Sequence, residues 1–278
     1  MLTTTVDGLW VLQILTGIEV VAPELALRPI LPSVETPQLA LAHPIAAELR
    51  AVGVIDDSGN VDASVVEWLT VLGRRDIALV IQVRSPRRGD ELDRAILARY
   101  AQWWVVLERS GQMIRIGGAG TASAEGTAST VISAQIERLC GTNTLAPLRP
   151  VTIDADALLA SVKSQEALHT FLTNRRVDSD QLQILMMAAD PKRSAQASIV
   201  ALQSGVETGR SSRTYIGQSM VTVIDTPEGR LVAEHVVSGG KKWMVIAPGS
   251  GGNIADAINR MVRRLPANQE WFSYRKVV

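Results

Sequence analysis

One seven-residue run constrains the fold more than any other feature: IALVIQV, Ile77 to Val83. It is rich enough in Ile, Leu and Val to be a strand buried on both faces. A matching apolar run, Ala195 to Leu202, stands in the second half of the chain. The elements around the two runs repeat in order. In the first half a short strand at Thr3 to Val6 leads to a helix that Asp7 can cap, with Trp10, Val11, Ile14, Leu15 and Ile18 at helical spacing. An extended piece at Glu24 to Ile30, fenced by prolines, precedes a helical stretch from Gln38 to Val52 that Pro44 divides. The turn Asp56 to Asn60 opens a helix with Val65, Leu69 and Leu72 on one face, ended by Gly73. After the buried strand and the polar loop Ser85 to Glu91, strands are expected near Arg94 to Tyr100, Trp103 to Glu108 and Met113 to Ile116. Ser110-Gly111 joins the last two as a hairpin. A loop of small residues, Gly117 to Ser129, then opens a helix bearing Ile132, Ile136 and Leu139.

The second half replays this order with almost no residue identity. Helical pattern runs from Asp154 to Asn174, and Asp178 with Gln181 reads as a capping box for a helix carrying Leu182, Leu185, Met186 and Ala189. Strands near Met220 to Asp225 and Arg230 to Val237 flank the turn DTPEGR. A strand at Lys242 to Ile246 enters PGSGGN, where Asn253 caps a helix with Ile254, Ala257, Ile258, Met261 and Leu265. The expected fold is α+β: a quasi-two-fold pair of halves, 1–150 and 151–278, sharing a central mainly antiparallel sheet with two helical bundles in one compact domain.

Chemistry is sparse. His43, His169 and His235 lie far apart in the chain, and no H-E-x-x-H, G-x-S-x-G or CxxC pattern occurs. Cys140 closes an apolar helix face and reads as a packed residue. The paired acids Asp56-Asp57 and Asp154/Asp156 sit at turns and helix starts, where carboxylates cap backbone N–H groups. Two glycine-rich stretches, Gly117 to Gly120 and Gly249 to Asn253, follow strands and precede helices, where phosphate could be cradled. Neither completes a nucleotide signature; the alternative reading, a small-ligand or nucleotide-binding enzyme, rests on residues 249–253. No cofactor or metal is implied.

Charge and composition narrow the class further. Lys+Arg 28 balance Asp+Glu 28, which argues against nucleic acid as a partner. The balance hides an uneven distribution: residues 1–70 carry nine acids against Arg28 and Arg50, a net of −7, and residues 208–278 a net of +5. No basic apolar leader opens the chain, and the apolar stretch Leu9 to Ala22 is broken by Gln13 and Glu19, so neither export signal nor membrane insertion is expected. One cysteine cannot form an internal disulfide, which suits a reducing cytoplasm. Trp103 and Trp104 would point to opposite faces of a strand, one into the core and one covered or facing a partner.

Several segments together carry a resemblance: LTTTVDGLWVL at the start, ADPKRSAQASIVAL (Ala189 to Leu202), VIDTPEGR (Val223 to Arg230), Trp243, APGS (Ala247 to Ser250) and LPANQEW (Leu265 to Trp271). Their order resembles the EspG family, the PE–PPE-specific chaperones of mycobacterial type VII (ESX) secretion, and is most similar to the branch at the second ESX locus. The resemblance spans essentially the whole chain. It implies a non-enzymatic cytoplasmic chaperone that binds the apolar helical tip of the PPE subunit in a cognate PE–PPE heterodimer. It also implies contact through a sheet loop, here Ser85, Pro86, Arg87, Arg88 and Gly89, and through a carboxy-terminal helix, here Leu182, Leu185 and Met186. It leaves monomer and homodimer open.

Overall fold

The structure is a computed structural model, and it describes residues 1–89, 91–205 and 213–276. Its strands are β1 (Leu2–Thr5), β2 (Ile77–Arg84), β3 (Leu92–Tyr100), β4 (Trp103–Ser110), β5 (Met113–Thr121), β6 (Val151–Asp154), β7 (Ala195–Ser204), β8 (Thr214–Thr226), β9 (Gly229–Ser238) and β10 (Lys241–Pro248). Among the described residues these form one ten-stranded sheet in the order β1-β5-β4-β3-β2-β7-β8-β9-β10-β6, with every neighbouring pair antiparallel. The order reads the same from either edge if the two halves are exchanged. The seam is β2 against β7, from Ile77↔Gln203 to Arg84↔Gln196. The apolar run that demanded cover on both faces is therefore central, with Ile77, Leu79 and Ile81 each at most 1% exposed.

Helices α1 (Val6–Thr16), α2 (Pro37–Ala42), α3 (Pro44–Ala51) and α4 (Ala63–Arg74) form the amino-terminal bundle. They bury Leu12, Leu49, Leu69 and Leu72 against Ala78, Ile96 and Leu107 of the sheet. Helices α6 (Ala155–Ser161), α7 (Gln165–Asn174) and α8 (Ser179–Ala189) bury Leu172, Ile184 and Met187 against Ile224, Leu231 and Ile246. Side chains alternate along a strand, and both bundles lie over the same face. The opposite face, with Leu79, Leu97, Ile199, Val221 and Val223, is covered by α5 (Glu125–Cys140), α9 (Gly251–Val262) and Trp271. The α+β expectation of two halves on one antiparallel sheet, with a helical bundle on each, is met.

The differences are local and have physical causes. Helix α1 is capped by Thr5, whose Oγ1 accepts from Gly8 N–H at 3.1 Å, so Asp7 lies inside its first turn rather than before it. Gly73 does not end α4: it lies within the helix because a Cβ there would sit 3.2 Å from Val20 O, and the helix runs on to Arg74. The stretch Gly117 to Thr121 is not loop but the end of β5, and a Cβ at Gly117 would meet Met1 Cα at 3.1 Å. Asp178 makes no capping bond; its carboxylate pairs with Arg149 instead. Helix α9 is capped by Ser250, whose Oγ accepts from Asn253 N–H at 3.1 Å, so Gly251 and Gly252 belong to its first turn. Pro44 does divide its stretch into α2 and α3, and Trp104 (1% exposed) and Trp103 (50%) take opposite environments.

Candidate functional site

The loop from β2 to β3 is shaped by its own residues. Pro86 starts a short 3-10 turn, Pro86–Arg88; Ser85 Oγ accepts from Arg87 N–H at 3.4 Å, and Gly89 takes a positive φ of 62°. Pro86, Arg87 and Gly89 are exposed and Ser85 is half-buried. The side chain of Arg88 and the whole of Asp90 lie outside the described residues.

Helix α8 is mostly committed to the core. Leu185 is 5% exposed, while Leu182 and Met186 are half-buried beside it. Beneath the helix lies an apolar cavity of about 400 Å³, walled by Leu158 and Leu159 of α6, Val162 just past its end, Leu185 of α8, and Met220 and Met244 of the sheet. Leu159 is 65% exposed at its mouth. His235 also lines it, and burial holds its imidazole below the usual pKa, which favours the neutral ring. The helical stretch expected from Asp154 to Asn174 is two helices, because Val162 is extended and Ser164 caps α7; the apolar Leu158 and Leu159 of the first line the cavity.

Register brings the loop and the helix together. Arg84, the residue before the loop, pairs with Gln196 across the seam, and Gln196 Nε2 donates to Ala188 O near the carboxy end of α8 at 3.0 Å. The loop thus begins at the end of the β2–β7 seam that Gln196 ties to the carboxy end of α8, while Leu182, Leu185 and Met186 lie further back along that helix.

The second glycine stretch has a different explanation. A Cβ at Gly249 would lie 2.3 Å from Arg230 Cγ and 2.9 Å from Leu231 C, so glycine is required for packing. Arg230 is itself fully engaged, with Asp225 by two bonds of 2.7 and 2.8 Å and with the carbonyls of Gly141 and Cys140. Asn253 Nδ2 donates to Pro248 O. Lys241 and Lys242 lie at the far end of β10. Gly249 and Asn253 are thus tied into their own chain, while Gly251 and Gly252 are exposed beside a hollow of about 470 Å³ that Arg230 and Asn143 also line. Among the described residues, no three His, Cys, Asp or Glu converge as metal ligands.

Cys140 is half-buried, and burial raises its thiol to about 11 against the lowering effect of Arg230. At pH 7.5 its thiolate fraction should fall about a hundredfold below that of an unperturbed thiol, since each pKa unit is tenfold. Alkylation by iodoacetamide, followed by mass spectrometry, should be slowed correspondingly relative to the urea-unfolded chain. Equal rates would contradict the packed role.

The fold is an α+β sheet shared by two quasi-symmetric halves, with an apolar cavity under one helical bundle. The chain belongs to the EspG family: the family model matches residues 5–260. It is 53% identical over 278 residues, all of both chains, to the ESX-2 secretion-associated protein EspG2 of Mycobacterium tuberculosis. It is 28% identical over 236 residues to the ESX-3 secretion-associated protein EspG3 of Mycolicibacterium smegmatis, covering 81% of this chain and 74% of that one. Among solved structures it shares its fold with the Mycobacterium tuberculosis type VII secretion system chaperone EspG5, determined in complex with a PE25–PPE41 dimer. That match has a TM-score of 0.74 and 22% identity, and covers 96% of this chain and 98% of that one. Among the described residues no helix is long and apolar enough to cross a membrane.

Proposed function

We propose that this chain is a type VII secretion chaperone. It binds the apolar helical tip of the PPE subunit of a cognate PE–PPE heterodimer and keeps that subunit soluble for export, acting in the cytoplasm by binding rather than by catalysis. The observation that carries this reading is the apolar cavity under α6 and α8, set beside an exposed charged loop at one end of the seam. An apolar helical end left in water is an aggregation liability, and an apolar recess with a polar rim is the surface that covers it. The complex of EspG5 with a PE25–PPE41 dimer, and the ESX-2 association of EspG2, support the same assignment. Ser85, Pro86, Arg87, Arg88 and Gly89 form the polar rim in this reading, and Leu182, Leu185 and Met186 the apolar side, with Leu185 acting from within the cavity wall. We take 1–150 and 151–278 as halves of one domain, which the continuous seam supports.

Co-expression with the PE–PPE pair encoded beside the gene is the test. The pair should co-purify with the chain and gain solubility from it; failure of both removes the chaperone reading. A rise in melting temperature with saturating ATP would instead favour a ligand-binding enzyme. The double substitution Arg87→Glu with Arg88→Glu should weaken capture at least about tenfold in a calorimetric titration. Arg87→Glu alone, at an exposed side chain, should move the unfolding free energy by no more than about 0.5 kcal/mol. Unchanged affinity would take the loop out of the interface.

A further inference from the structure

The floor of the cavity under α6 and α8 differs in kind from its walls. Three of the sheet residues that line it, Ser198 of β7, Thr222 of β8 and His235 of β9, carry polar side chains. Among the described residues none of these three side chains takes part in a hydrogen bond. Thr222 is only 5% exposed. A buried hydroxyl ordinarily has a partner, because an unpaired one is costly. Gln196, the other polar residue at the cavity, keeps to that rule: its Nε2 donates to Ala188 O at 3.0 Å and to Ser194 Oγ at 3.3 Å.

Register gathers the three groups. Ser198 stands directly opposite Thr222, and His235 stands opposite Met220, two positions along β8 from Thr222 on the same face. Directly paired residues have Cβ atoms about 4.5–5.5 Å apart, so one inserted polar atom can meet both hydroxyls. Under the amino-terminal bundle, the row Val80, Ile96, Leu107 and Ile116 across paired strands is apolar throughout. Packing helices on this sheet therefore does not itself call for hydroxyls.

The chemistry of the floor limits what can seat on it. Among the described residues no Asp, Glu, Lys or Arg lines the cavity, and burial favours the neutral ring of His235. A charged group brought in would lack a counter-charge. A wholly apolar group would drive water from the floor and leave the hydroxyls bare. What fits is apolar along its length, and neutral and hydrogen-bonding at its end.

We propose that Ser198, Thr222 and His235 are specificity residues that select a partner side chain with an apolar stem and a neutral hydrogen-bonding tip, of the tyrosine kind. The inference rests on the reading of this cavity as the seat of the PPE tip, and adds which kind of side chain on that tip is read. A side chain that is apolar to its end is disfavoured because it strands the floor. In the same way, a site built to bond a hydroxyl rejects the analogue that lacks it.

Two small probes test the floor without the partner: 4-ethylphenol and ethylbenzene, each titrated into the full chain and followed by NMR at the amides of Ala188 and Thr222. Ethylbenzene is the more apolar, so a cavity that reads only apolar surface prefers it. The parent chain should bind 4-ethylphenol at least about threefold more tightly, and Thr222→Val with Ser198→Ala should reverse the order. Valine keeps the shape and strand preference of threonine, so the fold is retained. In a titration with the PE–PPE pair encoded beside the gene, the same double variant should weaken capture at least about tenfold. For a tip that is apolar to its end, the variant would instead bind as well or more tightly. Preference of the parent chain for ethylbenzene, or capture unchanged or tightened in the variant, would overturn the proposal and leave the chaperone reading standing. A parent chain that prefers 4-ethylphenol yet captures no pair would remove the chaperone reading and uphold the selectivity of the floor.

Discussion

Arg99→Met is expected to cost about 3–5 kcal/mol of stability, the scale for removing one member of a buried ion pair. Arg99 is 0% exposed and faces Asp76 at 3.8 Å, itself 1% exposed at its side chain. Burial lowers the Arg99 pKa to about 10, with Asp76 acting in the opposite sense, so the guanidinium stays charged at neutral pH. Its other bonds reach the chain's end: it donates to Phe272 O, and to Tyr274 O at 2.5 Å. Asp76 accepts from Ala101 N–H at 3.0 Å and from Lys276 N–H at 2.9 Å. Methionine would leave a buried carboxylate without its counter-charge and two carbonyls without a donor. Urea denaturation should show the midpoint fall, and the exchange of amides at 272–276 should rise with it. Adding Asp76→Asn should recover part of the loss, because the stranded charge is then gone. A loss below about 1 kcal/mol would mean that the pair does not hold the tail.

The second large effect is expected at Gly229→Ala, at about 3 kcal/mol or more. Gly229 has φ +119°, where a side chain carries strain of about 1–3 kcal/mol. Its Cβ would also fall 2.6 Å from Ala146 N, 2.7 Å from Leu145 C and 2.8 Å from Thr144 O. These are backbone atoms of the segment joining the two halves, so no side chain can swing aside. Either the segment moves and gives up the bond from Arg230 N–H to Thr144 O, or the β8–β9 turn opens. Denaturation of the variant measures the loss, and faster exchange of the Arg230 amide locates it. A variant as stable as the parent would show that the segment yields freely.

How much of this was legible follows residue by residue. The central strands were readable because a run such as IALVIQV has no polar face to give to water. The face of α9 was readable because Ile254, Ala257, Ile258 and Met261 recur at helical spacing and are all at most 7% exposed. Strand β6 was not, since four residues at an edge are too few to show alternation. The glycines of β5 were misread because glycine usually marks a loop, and only the tertiary approach of Met1 explains Gly117 in a strand. The segments that carried the family resemblance prove to be scaffold. In VIDTPEGR, Asp225 holds Arg230 and Thr226 Oγ1 donates to Gly229 O; in LPANQEW, Trp271 is 0% exposed with its indole N–H on Glu125. The candidate contact residues, by contrast, carry no internal signal. The Arg87 backbone N–H is held by Ser85, but among the described residues no side-chain bond of Arg87 marks a role that its sequence could have shown.

The seam also sets a timetable for the molecule's birth. Strand β2 ends at Arg84 and its partner β7 begins at Ala195, so the ribosome must add more than a hundred residues between them. At about 5–20 residues per second that interval is on the order of 5–20 s. Throughout it the most apolar strand of the chain has one edge unpaired and lacks the cover that α9 later supplies. The amino-terminal half is therefore, for a time, a nascent chain with the same kind of exposed surface that this family is proposed to shield on others.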